Sequence, residues 1–280
     1  MTNKDEQAYL NLMQDVMENG HLKNDRTGVG VKSKFGVNLA CYLSDNKIPI
    51  TTSRKTFYKG VFLEELFFIA GKTQTKELEE KGCNLWKHNT SREFLDKKGL
   101  FNYDVGEMGP MYGRAFRNFN GVDQLKRALD LIKKDPDSRR ITVTAHDPSV
   151  SHLTVLDTCH NFFQFFVHDG ILDCQWYSRS ADLFLGLNSN IINYSLITHL
   201  FAKAANLKTG RLYFCGGDCH VYLNHFDQVK EQISRSTFDY PTLKIDAQLS
   251  SIEDIENISI NQLIVENYIS HSAIRAPMAI

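Results

Sequence analysis

One cysteine, four arginines and two carboxylates set in apolar sequence are the side chains here with the most chemistry to offer. Cys159 lies in LDTCHNFFQFF, where a loop enters a strand. A cysteine in such a place is ordinarily a small buried hydrophobe. The arginines change that reading. Arg139 and Arg140 close DPDSRR at a loop-to-strand junction, Arg179 stands in WYSRS at the end of another strand, and Arg26 sits in the glycine-spaced loop KNDRTGVGVKSKFG. Arginines at strand ends are usually solvated or ion-paired. Several converging would bind a phosphate through bidentate contacts and would turn a nearby thiol into a nucleophile. Glu64 and Glu65 interrupt the apolar run YKGVFLEELFFIA, and a buried carboxylate is costly without a partner. Cys215, Cys219 and His220 form C-x3-C-H with no second pair, unlike the usual zinc patterns. No GxGxxG or GxxxxGK[ST] occurs, so a dinucleotide or P-loop site has no support.

These groups need a scaffold. Tyr9, Met13, Val16 and Met17 share one face of an N-terminal helix closed by Asn19-Gly20. Residues 58–70 read as a mostly buried helix, 121–134 as an amphipathic one and 190–206 as a long apolar one. β-Branched and aromatic content predicts strands at 141–145, 162–167, 172–177, 212–215, 242–245 and 258–265, with His168-Asp169-Gly170 as a hairpin turn. Hairpins mixed with helices predict an α+β fold on a mixed sheet. No repeat, linker or low-complexity tract divides the chain, so residues 1–280 are expected to be a single domain.

The 280 residues carry 32 Lys+Arg against 33 Asp+Glu, a net charge of −1. That balance argues against a protein built to coat nucleic acid. With 42% hydrophobic and 23% charged residues the chain can bury a core, which excludes a mostly disordered protein. No apolar run reaches membrane-spanning length. The polar start MTNKDEQAYL is neither a signal nor a transit peptide, so a cytoplasmic protein with six thiols is expected.

The segments DRTGVG, LEELFFIAG, GPMYG, DPDSRR, CHNFFQF, WYSRSADLFLGL, GGDCHVYLNH and IRAPMAI follow one another along nearly the whole chain. In that order they resemble the thymidylate synthase family. The resemblance implies a homodimer joined through a sheet face, a deoxyuridylate-type substrate and 5,10-methylenetetrahydrofolate as cosubstrate, with no metal. Cys159 matches the nucleophile that adds to C6 of the pyrimidine, and Glu64 matches the carboxylate acting through water near O4. The flanking Lys59-Gly60-Val61 and Gly71 set the register that prefers Glu64 over Glu65. Tyr112 matches a tyrosine implicated in proton abstraction at C5, and His160 follows the nucleophile. Arg26, Arg179 and Ser180 match phosphate ligands, and Arg139 and Arg140 match a pair lent by the partner subunit. Gln164, His220 and Tyr222 complete the implied substrate contacts, the last two at the sugar hydroxyl. Trp86, Asp182, Leu185, Gly186, Tyr222 and the terminal carboxylate of Ile280 match the folate side. Asn190 matches the residue that reads the base: an amide can pair with both O4 and N3–H of uracil, whereas related deoxycytidylate enzymes carry Asp there. An alternative role for Asn190 is the N-cap of the long helix.

The departures have a pattern. Leu187-Asn188-Ser189-Asn190 stands where the family reads Leu-Pro-Phe-Asn; Ser53 replaces a lysine, Lys87 an aspartate, Thr158 a proline and Phe67 a tryptophan. These changes cluster around the cosubstrate and the nucleophile loop. Losing an aromatic contact and gaining polar Asn188, Ser189, Lys87 and His88 would admit water to the exocyclic methylene intermediate. The hydroxymethylases of this family, known from bacteriophages, likewise lack the Pro-Phe pair. The expectation is therefore a dUMP hydroxymethylase, with thymidylate synthase proper as the alternative. Two other classes compete: a nucleotide- or RNA-binding protein, which would be expected to lose Cys159 or Glu64, and a metal-dependent nucleotide hydrolase, which would need a ligand cluster.

Overall fold

In the computed structural model, which describes residues 3–25 and 28–277, the chain opens with helix α1 (Lys4–Asn19). Asn3 caps it, its side chain accepting from the N–H groups of Asp5 and Glu6 at 3.2 Å each. Strands β1 (His21–Lys23) and β2 (Val31–Tyr42) follow, then helices α2 (Tyr58–Ile69), α3 (Lys76–Glu80), α4 (Arg92–Lys97), α5 (Tyr112–Arg117) and α6 (Gln124–Lys134). Strands β3 (Thr142–Thr144), β4 (His160–His168) and β5 (Ile171–Asp182) lead to the long helix α7 (Leu187–Ala204). The chain continues through β6 (Lys208–Tyr222), α8 (Phe226–Ile233), β7 (Thr242–Ile245), α9 (Ile252–Glu256) and β8 (Leu263–Glu266).

Six strands form one sheet in the order β1-β2-β6-β5-β4-β3, and β7 pairs with β8 apart from it. All neighbours are antiparallel except β5 and β6. A parallel pair needs a crossover, and α7 supplies it. Its sequence is apolar nearly all round, and it is buried nearly all round as a result. α7 packs against β5 and β6, with Trp176 stacked on Tyr194 at 4.8 Å between ring centres, and α2 packs on α7. The expected α+β class and mixed sheet are what the structure holds.

The expected helices 58–70, 121–134 and 190–206 stand at 58–69, 124–134 and 187–204. The β4–β5 turn is a two-residue hairpin in which Asp169 and Gly170 have φ of 47° and 74°, the geometry that suits strand twist. Three expectations needed correction. No strand is predicted at β1, and β2 begins at Val31, inside the segment KNDRTGVGVKSKFG read as a loop feeding a strand, because the lysines and glycines there mask the alternation of Val31, Phe35 and Val37. β6 runs on to Tyr222, and residues 258–265 yield only the short β8 after a turn at Ile260–Gln262. Three short helices in 76–117 carry too few turns to show a period.

On the sheet's other face Phe162, Phe166 and Tyr177 are exposed, alternating with the buried Phe163, Phe165 and Trp176.

Candidate active site

The parallel pairing of β5 with β6 brings Ser180, Asp182, His220 and Tyr222 to one end of the sheet. Ser180 lies beside Asp218 and Asp182 beside His220, while Ser33 of β2 faces His220 from the other side. His220 Nδ1 is 3.4 Å from Asp218 Oδ1, and Lys23 pairs with the same aspartate. The His220 ring meets Tyr222 edge-on at 5.2 Å. Leu223 N–H donates to Gly30 O at 3.1 Å, tying the residue before β2 to this end of the sheet. Arg26 in that loop and Ile280 lie outside the described residues.

Cys159 immediately precedes β4 and is half-buried. Its loop is held by Arg179, whose Nε donates to Thr158 O and whose Nη2 donates to Asp157 O, both at 2.9 Å. The same Nη2 is 4.0 Å from Cys159 Sγ. Buried Ser178 adds a bond from its hydroxyl to Cys159 O at 3.1 Å. From below, Tyr112 Oη accepts the Cys159 backbone N–H at 2.9 Å. Burial pushes the Tyr112 hydroxyl far above its usual range, so it stays a phenol. His160 sits between the rings of Tyr112 and Tyr194, each 5.4 Å away. Burial pushes it down to about 4, against a hydrogen bond to the Asn190 amide oxygen that favours the proton. It is therefore a neutral imidazole at pH 7, and its partner Asn190 is the expected base reader.

Asn190 is not the helix cap. Gly186 occupies that position, its carbonyl accepting from Ser189 and Asn190 N–H at 3.0 and 3.1 Å. This leaves the Asn190 amide inside the first turn. Leu185 and Gly186 are half-buried beside it. The turn that presents them is fixed by Asp182, whose Oδ1 accepts from Phe184 and Leu185 N–H at 2.9 and 3.3 Å.

Glu64 lies deeper, on α2. Trp86 Nε1 donates to its Oε1 at 2.6 Å and Asn193 Nδ2 donates to its Oε2 at 2.9 Å. Burial still raises its proton affinity above that of an ordinary carboxyl, and the two donors act against that rise. Glu65 is equally buried, and burial beside Glu64 raises it much further. Among the described residues, Glu65 has no hydrogen-bond donor. Trp86 thus reaches the site through the carboxylate as well as through its ring. Asn193 and Ser178 were not anticipated. The signal for Asn193 was its spacing, three residues after Asn190 on one helix face. Nothing in the sequence marked Ser178.

Other expected residues lie elsewhere. Gln164 occupies the outward face of β4, its side chain donating to Arg139 O at 3.4 Å, because it alternates with Phe163 and Phe165. Arg139 and Arg140 are exposed and form no ion pair among the described residues. Lys87 pairs with Glu79 at 3.4 Å, and His88 packs edge-on against Phe94 at 5.7 Å; neither adds a polar group to the pocket. Ser53 is fully buried and accepts from Gln232 at 2.9 Å. Asn188 is buried, with Nδ2 3.4 Å from Thr56 Oγ1 and Oδ1 unpartnered. A cavity of about 980 Å3 at the far end of α7, lined by His199, Lys203, Lys208 and Lys244 among others, holds none of the expected site residues. Among the described residues no group of three or more His, Cys, Asp or Glu is placed to hold a metal ion, and no helix is long and apolar enough to cross a membrane.

The family model described as thymidylate synthase matches residues 7–280. The chain is 40% identical to the thymidylate synthase of Ascaris suum over 99% of this chain and 98% of that one. It is 39% identical to the thymidylate synthase of Herpesvirus ateles, covering 98% of each. It is also 40% identical to the bifunctional dihydrofolate reductase-thymidylate synthase of Zea mays, where 99% of this chain covers 55% of that protein.

Proposed function

Because the chain belongs to the thymidylate synthase family, we propose that it converts dUMP to dTMP with 5,10-methylenetetrahydrofolate. The observation that carries this reading is the Cys159 thiol 4.0 Å from the Arg179 guanidinium, next to the Asn190–His160 pair. The cation steadies a thiolate and binds phosphate through Nη1. Sγ adds to C6 of uracil, and the electron pair moves onto C5 and O4, making C5 a nucleophile. Glu64, acting as a base in its ionised form, relays protons through water at O4. Asn190 pairs with O4 and N3–H, and the hydrogen bond to neutral His160 fixes which way its amide points. Tyr112 remains a phenol, so it orders a water for removal of the C5 proton and does not itself act as an anionic base.

The folate supplies the one-carbon unit and the hydride. The residues present suit it: Asp182, with Leu185 and Gly186 on the turn it holds, keeps Oδ2 to accept from a pterin ring, and Trp86 offers an indole beside Glu64. The names of the relatives favour the methyl product, reversing the preference drawn from the departures alone. The outward positions of Lys87 and His88 weaken the case for added water in the pocket. The hydroxymethyl product stays as a second reading on one observation, the buried and unpartnered Asn188 Oδ1, which is an acceptor for a water.

A homodimer belongs to the same proposal. The aromatic outer sheet face suits a second copy, and the exposed Arg139 and Arg140 at its edge would reach the partner's phosphate site. Incubation with dUMP and methylenetetrahydrofolate should give dTMP with one dihydrofolate per turnover; a product heavier by one oxygen, without dihydrofolate, would favour the second reading. Cys159→Ser should abolish product, and mixing it with an inactive Arg139→Ala/Arg140→Ala variant should restore part of the activity. No restoration would remove the lent arginines.

A further inference from the structure

Asn193 is 3% exposed, and only half of its amide is used. Nδ2 donates to Glu64 Oε2 at 2.9 Å, while Oδ1 is buried with no partner. An unpaired buried acceptor carries a desolvation cost, and here it lies on the same amide that holds the reacting carboxylate. The two ends of an amide are nearly the same shape, and rotation about the Cβ–Cγ bond exchanges them. Trp86, the other partner of Glu64, has only a donor and cannot make that exchange. A carboxylate needs donors. A carboxylic acid offers one O–H and needs an acceptor for it.

We propose that Asn193 is a positioning residue for the reaction, holding the Glu64 carboxylate through Nδ2 and, after its amide turns over, receiving the O–H of the protonated acid through Oδ1. No proton passes to Asn193. Glu64 takes the proton from the water chain and returns it there, and the amide keeps both states in one place. This rests on the reading of Glu64 as the base. The groups facing Glu64 are Glu65 from its own helix, Cys83 and Trp86 from the segment after α3, Tyr112 from α5 and Asn193 from α7. No lysine or arginine forms an ion pair with it among the described residues. The hydrogen bonds therefore set its protonation.

The test is the pH dependence of kcat in three variants of the full-length enzyme. Asn193→Leu removes donor and acceptor at similar volume. It should lower kcat about tenfold, leave KM for dUMP within about twofold, and move the acidic limb up by about one pH unit. Asn193→Asp sets a like charge beside Glu64 and should move that limb further. Asn193→Ser keeps a rotatable hydroxyl that serves either state, and its limb should stay near that of the parent. If Asn193→Leu does not fold, the Asp and Ser pair decides. An acidic limb unmoved in Leu and Asp variants, or moved equally in all three, overturns the proposal. Glu64→Gln separates the two readings. If it turns over within twofold of the parent, Glu64 is not the base; if it is inactive while the Asn193 limbs stay put, only the role of Asn193 falls.

Discussion

Two buried carboxylates show how differently one fold treats the same group. Glu6 on α1 accepts from Thr52 N–H at 2.9 and 3.0 Å, from the Thr52 hydroxyl at 2.5 Å and from Ser53 N–H at 2.7 Å. Every donor belongs to the 51–54 segment, so the carboxylate pins that segment against the helix. Glu64 on α2 accepts two donors, both from side chains, and burial is only partly offset. A carboxylate held by two backbone N–H groups and a hydroxyl of one segment is a strut. One held by two side chains from separate elements, with burial only partly offset, can still gain and lose a proton. Glu65, with no donor among the described residues, marks the far end of that series.

Exchanging the two would break the comparison most visibly. Glu64→Gln should lower kcat about 10²–10⁴-fold with the urea midpoint near that of the parent. Glu6→Ala should do the reverse, costing about 3 kcal/mol of stability by leaving the Thr52 and Ser53 N–H groups unpaired, with kcat little changed in whatever folds. If Glu6→Ala instead removed activity without loss of stability, the strut description would fail.

The neutral counterpart sharpens the comparison in the opposite sign. Burial pushes His199, bonded through Nε2 to Lys47 O at 3.0 Å, down to about 4, as it does His160. Below its ordinary 6.5 the unfolded imidazole takes up a proton that the folded one refuses. Stability should therefore fall as pH drops from about 6.5 to 4, by about 1.4 kcal/mol per unit for each such histidine. Denaturation midpoints across that window should show this, with a shallower slope in His199→Gln. An unchanged slope would mean that His199 is not held neutral. The smallest effect expected is at Glu65. Replacing a buried acid that lacks a donor by Leu should raise stability by about 1 kcal/mol, and a loss above that size would reveal a partner it depends on.

Much of this was legible before the structure. The chemical groups were read well where they sit at junctions: Cys159 before β4 and Arg179 near the end of β5 lie on strong strand signals, so their neighbourhood followed from local pattern. The buried helices showed because their apolar runs exceed three turns. β1 stayed hidden because three residues show no period, and the start of β2 because lysines and glycines surround Val31, Phe35 and Val37, while the pairing of β2 with β6 depends on partners far along the chain. Gln164 went to the outward face by simple alternation, which was readable from FFQFF but outweighed by the resemblance. The spacing of Asn193 after Asn190 put it on the right helix face, but its bond to Glu64 was not legible, since only the packing of α2 on α7 brings residue 193 to residue 64.

The pairing of β2 with β6 carries a consequence for how the molecule is made. Val31 meets Tyr222, and Tyr42 meets Arg211, so the centre of the sheet cannot close until most of the chain has left the ribosome. Such distant pairings are slow, and a waiting nascent chain shows its unpaired edges to every neighbour. With Phe162 and Phe166 already exposed on the growing β4, the late zipping of the N-terminal strand against β6 marks the interval in which this polypeptide most needs a chaperone's company.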